Sequence, residues 1–123
     1  MDIAAIQQWL TEHEIDGWLL ADFHGYNFIA TRTLDVKGML TRRSFYYIPA
    51  SGNPVALVNA IEANKFRHLP GKFIAYAGYR MLEQKLKETV SGTGKVAMEF
   101  SPLGRLPYVA MVDAGTIDLI RCP

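Results

Sequence analysis

Residues 41–58 contain two apolar runs separated by a short turn, and this pattern constrains the fold more than any other part of the chain. The turn at residues 49–54 combines two prolines with a glycine and an asparagine, a composition typical of the connection in a β-hairpin. Along the aromatic segment at residues 45–48, successive side chains point to opposite faces of the strand, and both faces are apolar. We therefore expect this strand to lie inside a sheet that is covered by helices on both sides.

The composition is that of an ordinary globular domain. The chain has 123 residues, of which 50% are hydrophobic and 20% are charged, and this is enough for one domain around a single core. The formal net charge of +1 lacks the basic excess of proteins that bind nucleic acid chiefly through phosphates. Arg42 and Arg43 precede the aromatic strand, as in sheets that stack RNA bases, but stacking requires an open face and both faces here are apolar. We therefore expect no nucleic-acid partner.

Cysteine usage and the N-terminal residues favour a cytoplasmic protein. The single cysteine, Cys122, cannot form a disulfide within the chain. Residues 1–17 lack the basic and apolar regions of a signal peptide. No apolar run approaches the ~18 residues that a membrane span needs. We therefore expect a cytoplasmic chain without a membrane partner.

The spacing of apolar residues predicts alternating helices and strands. Helices are predicted at residues 3–16, behind an Asp2 cap, and at residues 60–69, 79–90 and 107–114. Strands are predicted at residues 17–21, in both arms of the hairpin, and at residues 73–77, 95–100 and 116–121, with a further short strand at residues 27–31. This alternation indicates an α/β domain of three layers, in which a mixed β-sheet of five to six strands is flanked by helices.

Residues 23–40 form the longest stretch without a clear periodic pattern. Gly25, Asn27 and Gly38 interrupt it. Loops of this length are uncommon inside a compact domain unless they bind something or pack against a neighbour. We interpret this stretch as a functional or interface loop.

Short motifs in the chain do not indicate a catalytic site. The His-Glu pair that begins at His13 lacks the second histidine of a zinc-protease helix. Residues 92–97 match the spacing G-x-G-x-x-A, but they follow a predicted helix instead of a strand. Asp22 and His24 could ligate a metal from one side of an extended segment, although a solvated strand end is the simpler interpretation. Cys122 lies one residue from the end of the sequence, where a positioned base is hardest to arrange.

Several segments together resemble a known domain. They are IDGWLLAD at residues 15–22, the loop around Asn27, LTRRSFYYIPASGNPVALV at residues 40–58, KVAMEFSP at residues 95–102 and LPYVAMVDAGTIDLIR at residues 106–121. In order and spacing, the chain resembles the N-terminal domain of the creatinase and Xaa-Pro peptidase family, the two-domain metallopeptidases that include aminopeptidase P and prolidase. The resemblance covers almost the whole length and implies a three-layer α/β domain with a ribonuclease H-like motif.

The resemblance also implies a chemistry and its location. Members of this family hydrolyse the peptide bond that precedes proline or, in creatinase, a related carbon–nitrogen bond. The peptidases use a pair of divalent metal ions, for which we expect manganese, held by two Asp, one His and two Glu in the C-terminal domain. We expect residues 1–123 to be the N-terminal, non-catalytic domain of such a hydrolase, with no catalytic residue and no metal ligand of its own.

In the family, this domain covers the catalytic site, restricts it to short substrates and builds the dimer interface. The partners implied are therefore the chain's own C-terminal catalytic domain, a second copy of the protein in a homodimer and short proline-containing peptides. We expect an arginine to pair with a substrate carboxylate. The candidates for facing the catalytic cleft or an interface are His24, Tyr26, Asn27, Arg32, Arg42 and Arg43.

A second interpretation remains open. The chain could be a stand-alone α/β binding or interaction module, with residues 23–40 as its contact surface. The two interpretations differ in what the reading frame encodes after residue 123. A downstream domain with spaced Asp, Asp, His, Glu and Glu residues supports the enzyme, whereas a stop codon supports the module.

Overall fold

A five-stranded mixed sheet forms the centre of the computed structural model, which describes residues 1–121. The strands are β1 (Gly17–Phe23), β2 (Arg43–Pro49), β3 (Val55–Asn59), β4 (Lys72–Tyr76) and β5 (Val96–Ala97). Their order across the sheet is β4-β3-β2-β1-β5. Strand β2 is antiparallel to β1 and β3, while each edge strand is parallel to its neighbour. The predicted mixed sheet and the predicted hairpin are confirmed.

Helices cover both faces of this sheet. They are α1 (Ile3–Glu12), α2 (Phe28–Thr33), α3 (Tyr79–Val90) and α4 (Ala114–Arg121), together with a 3₁₀ helix at Ala60–Lys65. The helices α1 and α2 and the 3₁₀ helix pack on one face, and α3 and α4 pack on the other. The predicted three-layer α/β architecture is therefore confirmed. Among residues 1–121, none of the helices has the length and apolar character needed to cross a membrane.

Strand β2 is buried on both faces, as its sequence predicts. Tyr46 and Ile48 belong to the core on the side of α1 and α2. Phe45 and Tyr47 belong to the core on the side of α3. The Tyr46 hydroxyl donates a hydrogen bond to the carbonyl of Pro70 at 2.6 Å, and burial raises the pKa of Tyr46 to about 12. This hydroxyl therefore stays protonated, and keeps its hydrogen bond, at neutral pH.

The predicted short strand at residues 27–31 is wrong, because Phe28–Thr33 forms helix α2. The side-chain oxygen of Asn27 accepts a hydrogen bond from the backbone N–H of Ala30 at 3.1 Å and so caps the helix. Asparagine is among the residues that most favour this position. A cap contact with a residue three positions ahead therefore outweighs the strand preference of the apolar residues that follow.

The predicted strand at residues 116–121 is also wrong, because Ala114–Arg121 forms helix α4. The Asp113 carboxylate accepts hydrogen bonds from the backbone N–H of Thr116 at 2.9 Å and from its hydroxyl at 2.7 Å. Ile117 and Ile120 then lie three residues apart on the buried side of the helix. In so short a segment, the same apolar positions fit either a strand or a helix.

Three further elements are shorter than predicted or absent. The predicted helix at residues 60–69 is a 3₁₀ helix of six residues, and the predicted strand at residues 95–100 is the two-residue β5. The predicted helix at residues 107–114 is replaced by a 3₁₀ turn at Pro107–Val109. The chain leaves the sheet after Ala97 and later returns to its neighbourhood, where the carbonyl of Glu99 accepts hydrogen bonds from the backbone N–H groups of Met111 and Val112. The helix predicted at residues 79–90 is confirmed, whereas the helix predicted at residues 3–16 begins at Ile3 but ends at Glu12.

Candidate functional site

Exposed aromatic side chains gather where strand β1 ends, in the segment that we call the aromatic loop, residues 23–28. Phe23 is 48% exposed and Tyr26 is 71% exposed. The ring of His24 stacks on Tyr26 with a centroid separation of 5.4 Å, and the edge of Phe23 meets Tyr26 at 6.3 Å. Clustered exposed aromatic groups mark interaction surfaces more often than isolated ones do. His24 and Tyr26, both candidates from the sequence, therefore lie together on the surface.

The carboxylate of Asp22 shapes this loop. It accepts hydrogen bonds from the backbone N–H of Gly25 at 2.8 Å and of Asn27 at 2.7 Å. Two left-handed residues, His24 with φ of 63° and Gly25 with φ of 75°, complete the turn. Each Asp22 oxygen is therefore engaged by the backbone, and the side chain acts in turn formation.

The side chain of Asn27 connects the aromatic loop to the interior of the protein through hydrogen bonds. Asn27 is 0% exposed. The amide nitrogen donates hydrogen bonds to the carbonyl of Ala21 and to Oε1 of Glu99, both at 2.7 Å, while the amide oxygen caps helix α2 through Ala30. The amide thus uses both donors and an acceptor inside the protein. Of the candidates from the sequence, Asn27 is the one that the fold buries.

Glu99 is the buried acidic partner of this network, and sequence reasoning missed it. Glu99 is 5% exposed. Oε1 accepts from Asn27 and Oε2 accepts from the indole Nε1 of Trp18, each at 2.7 Å. Burial raises the pKa of Glu99, and these two hydrogen bonds oppose part of that rise. A single carboxylate thereby connects strand β1, the aromatic loop and the segment that follows β5.

The three candidate arginines occupy different positions. The guanidinium of Arg32, on α2, lies 5.3 Å from the centroid of the Phe28 ring. Arg43 lies 5.6 Å from the Phe45 centroid, on the side of the sheet covered by α3 and α4. Neighbouring residues of a strand point to opposite faces, and Arg42 donates its backbone N–H to Glu62 of the 3₁₀ helix on the other side. The fold therefore brings Arg43 toward the aromatic loop and keeps Arg42 away.

A cavity of about 270 Å³ lies between the aromatic loop, the start of strand β2 and the start of helix α4. Its lining is mostly apolar, with the guanidinium of Arg43 and the carboxylates of Asp22 and Asp113 as the charged groups. Partial burial raises the pKa of Asp113, but the hydrogen bonds from Thr116 and the charge of Arg43 bring it below its ordinary value. Asp113 is therefore ionised at neutral pH.

The metal chemistry implied by the resemblance does not fit the residues present. Among residues 1–121, no group of three or more His, Cys, Asp or Glu side chains is arranged to hold a metal ion. The Asp22 carboxylate accepts from backbone groups, and His24 stacks on Tyr26. Cys122, considered as a nucleophile, lies outside the described residues.

Comparison with known proteins identifies the fold. No protein-family model and no curated protein sequence matches the chain. Among solved structures, the creatinase/prolidase N-terminal domain of an X-Pro dipeptidase from Streptococcus pyogenes is similar, with a TM-score of 0.71 and 13% identity over 97% of this chain and 89% of that one. The N-terminal domain of Xaa-Pro dipeptidase from Lactobacillus brevis gives a TM-score of 0.67 and 14% identity over 98% and 85% of the two chains.

A longer protein contains the same fold. The prolidase from Pyrococcus horikoshii OT3 superposes with a TM-score of 0.64 and 11% identity, over 97% of this chain but 28% of the prolidase. The similarity in fold therefore extends over nearly the whole of the present chain, at sequence identities of 11–14%. The chain has the fold of the creatinase and prolidase N-terminal domains.

Proposed function

We propose that the chain is the N-terminal, non-catalytic domain of an Xaa-Pro peptidase, an aminopeptidase or a dipeptidase, of the creatinase and prolidase family. The observation that carries the proposal is the superposition of 97–98% of the chain on isolated N-terminal domains of Xaa-Pro dipeptidases. The segments that resemble this family lie in strand β1, in the loop around Asn27, in the central hairpin and at residues 95–102 and 106–121. In the proposal, two divalent metal ions and their ligands belong to a catalytic domain elsewhere in the protein.

Within this proposal, the aromatic loop and helix α2 cover the catalytic site and limit the size of the substrate. Support comes from the rigidity of their attachment, since Asp22, Asn27 and Glu99 hold the loop by short hydrogen bonds. The exposed surface combines aromatic rings with the guanidinium of Arg32. Such a surface suits short peptides, because aromatic groups pack against proline rings and a guanidinium can pair with a terminal carboxylate.

The proposal includes a homodimer. Residues 100–110 form a loop whose neck is closed by hydrogen bonds from Met111 and Val112 to the carbonyl of Glu99. Compact loops of this kind are frequently functional. Large apolar side chains are exposed along it, namely Leu103, Leu106, Tyr108 and Val109. We assign this apolar surface to contact with another polypeptide surface in the assembled protein.

Replacement of Arg32 by alanine tests the role of this surface in the full-length protein. We expect kcat/KM for short Xaa-Pro peptides to fall about tenfold or more, mainly through KM, because an ion pair with the substrate carboxylate is lost. Arg67 is the matched control, since its guanidinium also lies over an aromatic ring, 4.9 Å from the Phe73 centroid, but at the distant β4 edge. Unchanged kinetics in Arg32→Ala, or an equal loss in Arg67→Ala, would reject the proposed role.

The exposed apolar loop at residues 100–110 also favours the second candidate, a stand-alone interaction module. In that case the chain would bind a protein partner without any associated peptidase activity. The two candidates predict different coding sequences after residue 123. They also predict different activities for the complete protein.

A further inference from the structure

The cavity beside the aromatic loop has the size of a site for a small molecule. Its volume of about 270 Å³ lies just below the ~300–1,000 Å³ typical of pockets for drug-sized ligands. Apolar side chains line most of it, chiefly Ala21, Phe45, Met111 and Val112. Phe45 belongs to the core, so this part of the wall is fixed by packing. The cavity therefore suits one apolar side chain better than an extended ligand.

Opposite charges stand on the rim of this cavity. The guanidinium of Arg43 makes no hydrogen bond or ion pair with any residue in the range 1–121 and lies against the Phe45 ring. The Asp113 carboxylate, which also lines the cavity, accepts two hydrogen bonds from Thr116. Its oxygens retain further lone pairs. No ion pair joins Arg43 to Asp113 within 4.0 Å, so a ligand can reach both charges.

A second carboxylate lies on the same side. Glu83 of helix α3 lines an open depression that shares Arg43 and Asp113 with the cavity. Asp22 also lines the cavity, with its oxygens bonded to backbone N–H groups of the aromatic loop. One guanidinium and three carboxylates therefore surround this region. A ligand that carried only a carboxylate would be repelled by these carboxylates. A ligand with both an ammonium group and a carboxylate could pair with groups of opposite charge at both ends.

We propose that this cavity binds a free apolar α-amino acid. The side chain occupies the apolar interior, the α-carboxylate pairs with Arg43, and the α-ammonium group pairs with Asp113. The ion pair with Arg43 is charge-assisted and can be bidentate. This inference goes beyond the proposed function, because it concerns a ligand of the domain itself and holds with or without an attached catalytic domain.

Titration of the ¹⁵N-labelled 123-residue chain with L-leucine at neutral pH tests the inference. We expect saturable shifts of the amide signals of residues that line the cavity, Ala21, Phe45, Met111 and Val112. L-leucinamide lacks the carboxylate, and N-acetyl-L-leucine lacks the ammonium group. Each is expected to bind about tenfold more weakly or worse, because one charged contact is missing.

Two substitutions test the same contacts from the side of the protein. Arg43→Gln removes the positive charge and is expected to weaken L-leucine binding about tenfold or more. Asp113→Asn keeps an oxygen that can accept from Thr116 and is expected to weaken binding to a similar extent. Arg67→Gln, at the β4 edge, is the control and should leave the affinity unchanged.

Two results would overturn the inference. One is the absence of saturable shifts at the cavity amides with L-leucine. The other is equal binding of L-leucine and its two analogues, since this would mean that the charged rim takes no part. The comparison of ligands uses the unchanged chain, so it decides the question even if a substituted chain does not fold.

Discussion

Replacement of Glu99 by alanine is expected to lower the free energy of unfolding by roughly 3 kcal/mol, because two buried or partly buried donors lose their acceptor. The donors are the side-chain amide of Asn27 and the indole N–H of Trp18, each 2.7 Å from a Glu99 oxygen. Asn27 is fully buried, so water cannot replace the lost acceptor without opening the loop. Urea denaturation of the unchanged and substituted chains measures the difference.

Glu88→Ala is the matched control for this substitution. Glu88 is an exposed residue of helix α3 that contacts Lys85 at 3.4 Å, so its loss should change the stability by less than about 1 kcal/mol. If Glu99→Ala lowers the free energy of unfolding no more than Glu88→Ala does, the buried network does not stabilise the aromatic loop as described. Amide hydrogen exchange of Ala30 provides a local readout, because its N–H is bonded to Asn27.

The titration of Glu99 makes its contribution to the free energy of unfolding depend on pH. Burial raises the pKa of Glu99 above its ordinary value of 4.5, so the folded chain binds this proton more readily than the unfolded chain. The contribution therefore favours the folded state increasingly as the pH falls from the folded pKa toward 4.5. Relative to Glu99→Gln, which lacks the titrating group, the unchanged chain should gain stability over that interval.

Asn27→Asp is expected to destabilise the fold by about 3 kcal/mol or more at neutral pH. The substitution keeps the shape of the side chain but places a second carboxylate where the Asn27 amide nitrogen now lies 2.7 Å from Glu99. Two buried carboxylates at this distance cannot both ionise without a large cost. The pair should therefore hold a proton in the folded state, and the stability of the variant should recover as the pH falls.

Asn64→Asp controls for the change from amide to acid. Asn64 is exposed and its side-chain oxygen accepts a hydrogen bond from Arg67 at 3.0 Å, so an added charge there is favourable or neutral. Denaturant unfolding at several pH values measures how much each of the two substitutions changes the stability. An Asn27→Asp chain that keeps its stability at neutral pH would show that Asn27 does not donate to Glu99 in solution.

The central hairpin could be predicted because its signals are local. Alternating apolar side chains and a turn with two prolines lie within residues 41–58, and burial of β2 on both faces follows from that pattern. The first and third helices were also predictable, since a cap at Asp2 and apolar spacing in Tyr79–Val90 are features of single segments. Such segments need no information from distant parts of the chain.

Helices α2 and α4 differ from the strands that the sequence predicts there, because one polar side chain caps the start of each helix. Asn27 and Asp113 cap these helices through contacts three residues ahead, and both segments are too short for periodicity to separate helix from strand. In the predicted helix at residues 107–114, Pro107 suggested a helix start, but hydrogen bonds from Met111 and Val112 to Glu99 bend the chain back to the sheet.

The sequence indicates candidate residues for a site but not the contacts that hold them in place. The irregular stretch at residues 23–40 predicts a functional or interface loop, and Tyr26 and Phe28 are exposed within it. The hydrogen-bond partner of Asn27, Glu99, and the carboxylate that lines the cavity with Arg43, Asp113, come from residues 70 or more positions away along the chain. A lone acidic residue in the apolar run before Phe100 was the available signal, since a buried carboxylate requires donors.

The most direct test of the account is a comparison of the complete reading frame with the 123-residue chain in a peptidase assay. Both proteins would be incubated with manganese and short Xaa-Pro peptides, and the released amino acid would be measured. The account predicts metal-dependent cleavage before proline by the complete protein and none by residues 1–123 alone. Cleavage by the 123-residue chain, or a reading frame that ends there without a catalytic domain, would contradict it.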